Sequence, residues 1–112
     1  MNPQAINDSF AVSGQISTED LAAISAAGFR VVICNRPDNE DFGQPLAEDI
    51  AAACEALDMT FHFLPFHGSL LPPGLPEQFV EAVRAADGPV LAYCRSGQRS
   101  TYLWASVRHL LG

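Results

Sequence analysis

The chain of 112 residues has no lysine: its six cationic side chains are all arginine, against 13 carboxylates, for a formal charge of −7. So acidic a surface lacks the electrostatic footprint needed to hold nucleic acid or an anionic membrane, and neither is expected as a partner. Cysteine is sparse too. Cys34, Cys54 and Cys94 are an odd number without a CxxC pair, which fits neither a disulfide framework nor a structural zinc site. They are expected as free thiols in a reducing compartment. No apolar run is long enough to span a bilayer, and the opening MNPQAINDSF lacks the basic-then-apolar order of a signal peptide. The expectation is a cytoplasmic protein in which residues 1–112 form a single domain around one core. His62, His67 and His109 are scattered, so no metal site and no cofactor is expected.

What is present alternates between strand and helix patterns. Ser17 or Thr18 can cap a helix that continues through residues 19–24, with acids in its first turn and Gly28 as its stop. Residues 29–34 are a β-branched apolar run, expected as a buried strand, and residues 35–41 form the polar loop at its carboxyl end. Pro45 suits a helix first turn, and Leu46, Ile50, Cys54 and Leu57 follow as one apolar stripe that turns Cys54 into the core. Residues 60–64 alternate as a short strand with His62 outward, followed by a loop rich in Gly and Pro as far as Pro76. Residues 77–86 read as a helix with Phe79, Val80 and Val83 inward, and residues 89–93 as a second buried strand. Leu103, Trp104, Val107, Leu110 and Leu111 predict a last amphipathic helix from near Ser100, with Phe10–Ser13 as an edge strand. The fold class is therefore α/β, a small mostly parallel sheet of about four or five strands flanked by helices. Ligands of such sheets bind beyond the carboxyl ends of the strands, where both the 35–38 segment and the residues after Tyr93 fall.

The second buried strand runs straight into Cys94-Arg95-Ser96-Gly97-Gln98-Arg99-Ser100. A strand ending in Cys, a turn at Gly97 and a helix opening near Arg99 can wrap several backbone N–H groups around one anion. The helix dipole and the Arg99 guanidinium favour negative charge at the centre, hence the thiolate form of Cys94, with Ser100 expected to donate a hydrogen bond to the sulfur. Cys94, Arg99 and Ser100 are the candidate catalytic residues. Arg95, Ser96, Gly97 and Gln98 are the candidate grip on an anionic substrate, a local positive source in an acidic protein. Asn35, Arg36 and Asp38 are candidates to bind substrate or orient the loop, and His67 to face the pocket. Cys34 reads first as a small core residue and second as a resolving thiol for oxidised Cys94.

The Cys94 to Ser100 segment resembles the active loop of the cysteine-dependent phosphatase and rhodanese groups. Taken with Gly28-Phe29-Arg30-Val31-Val32-Ile33-Cys34-Asn35-Arg36-Pro37-Asp38 and Asp87-Gly88-Pro89-Val90-Leu91-Ala92-Tyr93, it resembles the bacterial phosphatase-like domain that also occurs fused to β-lactamase-like persulfide dioxygenases. That resemblance covers nearly the whole chain and implies a tyrosine-phosphatase-like fold, with either phosphatase or sulfurtransferase activity.

Two features separate those activities. The tyrosine-phosphatase signature places one residue more between Cys and Arg than the four that lie between Cys94 and Arg99 here, and Cys-Arg-x-Gly-x-Arg is closer to the rhodaneses. The tighter ring suits the single terminal sulfur of a persulfide better than a tetrahedral phosphate. A phosphatase also needs a general acid, yet residues 60–86 contain no Asp; His67 stands roughly where the acid is expected, and Asp38 could reach in from the neighbouring strand end. Sulfur transfer with sulfite or a thiolate leaving needs no strong acid. The expected function is a sulfurtransferase working through a Cys94 persulfide. It takes sulfur from a small anionic donor, thiosulfate or a low-molecular-weight persulfide, and hands it to a thiol acceptor or cyanide. The alternatives are a phosphatase that hydrolyses a phosphoester through a phosphocysteine, and an inactive module that binds an anion or a partner.

Overall fold

The strand and helix patterns resolve, in a computed structural model that describes residues 3–111, into β1 (Gln4–Ala5), β2 (Phe10–Ser13), α1 (Asp20–Ala26), β3 (Val31–Cys34), α2 (Ala47–Ala56), β4 (Thr60–Phe63), α3 (Leu75–Ala85), β5 (Val90–Tyr93) and α4 (Gln98–Val107). A 3-10 turn, Arg108–Leu110, follows. The sheet order is β1-β2-β5-β3-β4, with every neighbouring pair parallel except β1 and β2. This is the mixed α/β architecture expected, with a mostly parallel sheet.

β5 is paired along both sides, Val90–Tyr93 lying in register with Phe10–Ser13 and with Val31–Cys34. It is also covered on both faces, which is why its sequence is a continuous apolar run without alternation. Phe10, Val12, Val31, Ile33, Val90 and Ala92 pack with Phe79, Leu103 and Val107 of α3 and α4. Ala11, Val32, Cys34, Leu91 and Tyr93 pack with Leu21, Ile24, Ile50 and Cys54 of α1 and α2. Burying one such aliphatic side chain is worth ~2 kcal/mol, and a one-residue slip would exchange the two faces of a strand, so this packing fixes the register that delivers Cys94 to the sheet's carboxyl edge.

Several boundaries differ from the sequence reading. β2 is internal and fully buried rather than an edge, because the two-residue β1, too short to leave a pattern, covers it. α3 starts at Leu75 with Pro76 inside its first turn, and α4 starts at Gln98, two residues ahead of Ser100. At α1 neither Ser17 nor Thr18 caps with its side chain; Ser17 N–H instead donates to Asp20 Oδ2 at 2.9 Å. Cys54 is in the core, where burial pushes its thiol up to about 11. His62 is half-buried rather than outward, and burial lowers its pKa.

Candidate functional site

The loop after β5 is braced from below by the exit of β2. Cys94 N–H donates to Ser13 O at 3.3 Å, and Gln15 N–H to Arg95 O at 3.2 Å. Between them lies Gly14, where an added Cβ would stand 3.1 Å from Arg95 O, so only glycine lets the two segments meet without displacing one. Sequence reasoning passed over Gly14, whose only signal is its place directly after a strand. Gly97 opens α4 with φ +93°, a left-handed conformation that suits glycine, and its N–H points at Cys94 Sγ at 3.0 Å. The Thr101 hydroxyl donates to Gly97 O at 2.8 Å and holds that peptide in place. Cys94 itself is buried, 1% exposed.

Ser100 does not serve the sulfur as expected. Its hydroxyl donates to Asn35 Oδ1 at 2.9 Å, while Asn35 Nδ2 donates to Leu64 O at 2.9 Å and Asn35 N–H to Tyr93 O at 2.8 Å. Both side chains are fully buried. Asn35 thus ties the carboxyl ends of β3, β4 and β5 to the first turn of α4.

Glu40, which the sequence reading left inside a polar loop, organises the charges. Arg99 Nη1 donates to Glu40 Oε2 at 3.0 Å and to Phe66 O at 2.9 Å, and its Nη2 donates to Glu40 Oε1 at 2.7 Å. A guanidinium has five N–H groups; the Nε–H and the second Nη2 hydrogen, which share an edge, have no protein partner among the described residues. Arg36 donates through Nε to Glu40 at 2.9 Å, through Nη2 to Asp41 at 2.6 Å and through Nη1 to Gln15 Oε1 at 2.8 Å. Its side chain is only 3% exposed, so Arg36 is a buried clamp with no face for a ligand, a correction to its candidacy. The hydrogen bonds from Arg99, followed by those from Arg36, hold the Glu40 carboxyl at about 2, and Glu40 in return raises the pKa of Arg99.

Asp38 is also turned away from the loop: its Oδ1 accepts Ala47 N–H at 2.8 Å and starts α2, which explains why that helix begins two residues beyond Pro45. Asp41 pairs with Arg36 and, at 3.3 Å, with Arg95 Nε. His67 lies at the rim, its side chain 78% exposed and its Nδ1 3.3 Å from Glu40 Oε2. A cleft of about 670 Å³ over the loop is lined by Ser69, Arg95, Ser96, Gln98, Arg99 and Tyr102 among others. Cys34 Sγ donates to Arg36 O at 3.2 Å, and burial raises its pKa. No group of three or more His, Cys, Asp or Glu among the described residues could hold a metal ion, and no helix among them is long and apolar enough to cross a membrane. Arg95, Ser96, Gln98 and Arg99 therefore share one opening, Cys94 is buried with Gly97 N–H on its sulfur, His67 is exposed beside Glu40, Asn35, Ser100 and Arg36 are buried supports, and Asp38 is employed at α2.

A parallel strand leading into a cysteine loop and a helix, at the carboxyl edge of a sheet with this order, defines a phosphatase-like protein of tyrosine-phosphatase-like fold. The core catalytic domain of a PP-IP phosphatase from S. cerevisiae, in complex with citrate, has the same fold with a TM-score of 0.73 at 16% identity, covering 98% of this chain and 66% of that one. A cysteine-to-serine variant of P. aeruginosa TpbA, in complex with pTyr, does so with a TM-score of 0.66 at 17% identity, covering 95% and 67%. Within that class, the chain belongs to the family of the beta-lactamase hydrolase-like protein, phosphatase-like domain, whose model matches residues 3–110. Beta-lactamase hydrolase-like proteins from Agrobacterium fabrum and Xylella fastidiosa are 33% identical over 104 residues and 32% identical over 100 residues. These alignments take in 93% and 89% of this chain but 24% and 23% of those proteins, so the chain spans about a quarter of their length. A Neisseria meningitidis protein provisionally described as a phosphatase is 33% identical with a TM-score of 0.84, covering 96% of this chain and 77% of that one.

Proposed function

We propose that this chain is a cysteine-dependent sulfurtransferase on a phosphatase-like fold, working as one domain through a Cys94 persulfide and needing no cofactor. The observation that carries this reading is the employment of the carboxylates around the loop. Glu40, held at about 2, stays ionised at neutral pH; Asp38 caps α2; Asp41 is shared by two guanidiniums. None is free to serve as the general acid that an alkoxide leaving group asks for in phosphomonoester hydrolysis. Sulfite and thiolates leave as stable anions and ask for none.

In the proposed reaction the Cys94 thiolate attacks the outer sulfur of thiosulfate, or of a low-molecular-weight persulfide. The S–S bond of the donor breaks, sulfite or a thiolate departs with the electron pair, and Cys94 carries the transferred sulfur. An acceptor thiolate or cyanide then attacks that sulfur and releases Cys94. Gly97 N–H, aimed at Sγ, and the unpaired edge of Arg99 supply the donors for the anion. Arg95, 69% exposed, attracts the donor, with Ser96 and Gln98 beside it. Ser100 and Asn35 act by fixing the loop.

Intact-mass spectrometry after mixing with thiosulfate tests the proposal. Cys94 gains one sulfur atom, and Cys94→Ser abolishes the gain. The second reading, a phosphatase working through a phosphocysteine, is favoured by the similarity to the Neisseria protein and by the fold shared with TpbA, which is seen with pTyr. It prevails if the chain stays unmodified by thiosulfate yet hydrolyses an aryl phosphate in a Cys94-dependent way. Failure of both assays leaves the inactive binding module.

A further inference from the structure

A second cleft, of about 710 Å³, reaches the Cys94 loop from the side of β1 and β2. Its lining includes Gln4, Gln15, Gln98, Thr101 and Tyr102, together with Ser96 and Gly97, the residue whose N–H meets Cys94 Sγ. No charged side chain lines it, in a chain with six cationic and 13 acidic residues. Gln15 is engaged with Arg36 and with Ile16 O. The amides of Gln4 and Gln98 and the hydroxyl of Tyr102 have no side-chain hydrogen-bond partner among the described residues. Ser96, Gln98 and Tyr102 also border the arginine-lined cleft, so the two openings flank one segment of the loop.

We propose that this cleft is the subsite for the organic arm of the acceptor thiol, and that the arm carries amide groups and no carboxylate. The assignment rests on the sulfur-transfer reading. A glutamine amide presents one acceptor oxygen and two donor hydrogens, which match a peptide-type amide of the ligand group for group. A carboxylate entering here would lose its hydration with no cation to replace it, against the field of a protein with charge −7. The volume is that of a small-molecule site. In the step served, the acceptor thiol RSH gives its proton to the terminal sulfur of the Cys94 persulfide anion and attacks that sulfur as RS⁻. The bond to Cys94 Sγ breaks, RS–SH leaves, and Cys94 returns as thiolate, with no net oxidation.

The test loads the protein with thiosulfate, removes the excess and follows discharge by three probes at equal thiolate concentration: N-acetylcysteine methylamide, mercaptoacetate and cyanide. The methylamide is expected to saturate and to discharge the persulfide about tenfold faster than mercaptoacetate, the size of effect that one or two well-placed hydrogen bonds give. Gln4→Trp narrows the cleft from its β1 side, at a position outside the Cys94 loop. It is expected to raise KM for the methylamide about tenfold while leaving thiosulfate loading and discharge by cyanide unchanged. Equal behaviour of the two thiols, or indifference of the methylamide to Gln4→Trp in a protein that loads normally, overturns the subsite and leaves the sulfur-transfer reading standing. Failure to load overturns both.

Discussion

Replacing Glu40 by glutamine keeps the shape of the side chain and removes the charge that lies between Arg36 and Arg99. Folding holds this carboxyl at about 2 against an ordinary 4.5, chiefly through the hydrogen bonds from Arg99. At 1.36 kcal/mol per unit, that shift is worth at most ~3 kcal/mol of stability at neutral pH. Its sign sets the pH window. The folded value is the depressed one, so the contribution is complete above the unfolded value near 4.5 and is lost as pH falls through 4 toward 2. Glu40→Gln is therefore expected to lose ~2–3 kcal/mol at pH 7, where it also leaves the 3%-exposed Arg36 with one charged partner fewer. Urea unfolding across a series from pH 7 downward measures the gap between the two chains, which should close as pH approaches 2. A gap below ~1 kcal/mol at pH 7, or one that persists unchanged at the acid end, refutes the argument that Glu40 is a structural anion.

Asp38→Ala removes the acceptor for Ala47 N–H and is expected to cost ~1 kcal/mol in thermal unfolding, as loss of a helix cap does. Persulfide loading by mass spectrometry should stay within about twofold of the parent, whereas a large loss would show that Asp38 acts on the Cys94 loop and not only on α2. Gly14→Ala places a Cβ 3.1 Å from Arg95 O and should displace the Cys94 loop. Loading should slow by about tenfold or more with little change in stability, because small misplacements of a reacting group are costly to rate. Asn35→Ala leaves Leu64 O and the Ser100 hydroxyl without their buried partner, and denaturant unfolding should show a loss of ~2–4 kcal/mol.

The parts of this molecule that its sequence makes legible are those written in local pattern. The apolar runs that become β3 and β5 and the stripe through Ile50 and Cys54 follow from burial alone, and the Cys94 loop follows from the order of strand, glycine and helix. The charge network is not local. Arg99 and Glu40 are 59 residues apart, and nothing in either neighbourhood says that the loop's arginine is held by an acid from the loop after the neighbouring strand β3. For the same reason Arg36 and Asp38, adjacent to a predicted ligand edge, read as binding groups when one is a buried clamp and the other a helix cap. Ser100 was misjudged because a hydroxyl beside a sulfur has an obvious partner in sequence, whereas Asn35, which takes its hydrogen bond, arrives from another strand. β2 looked like an edge because a buried run reads alike at an edge or in the interior, and the two residues of β1 that decide the matter carry no periodicity.

A site with anion donors whose carboxylates are all engaged makes a prediction about whatever phosphoryl chemistry it retains. Under the proposed reading the unpaired edge of Arg99 holds the anion, so slow transfer from an activated aryl phosphate is compatible with the geometry. No carboxyl of this loop is free to protonate the departing oxygen, however, because Glu40 is pinned at about 2 and the side chains of Asp38 and Asp41 are already in use. The rate should therefore fall steeply as the leaving phenol becomes less acidic. p-Nitrophenyl phosphate is expected to outpace phosphotyrosine, whose phenol has an ordinary pKa near 10, by at least about a hundredfold in kcat/KM, in proportion to the missing general acid. Measuring kcat/KM across a series of substituted phenyl phosphates gives the slope directly. A flat slope would mean that a proton is being delivered after all, and the case for sulfur over phosphorus would lose its footing.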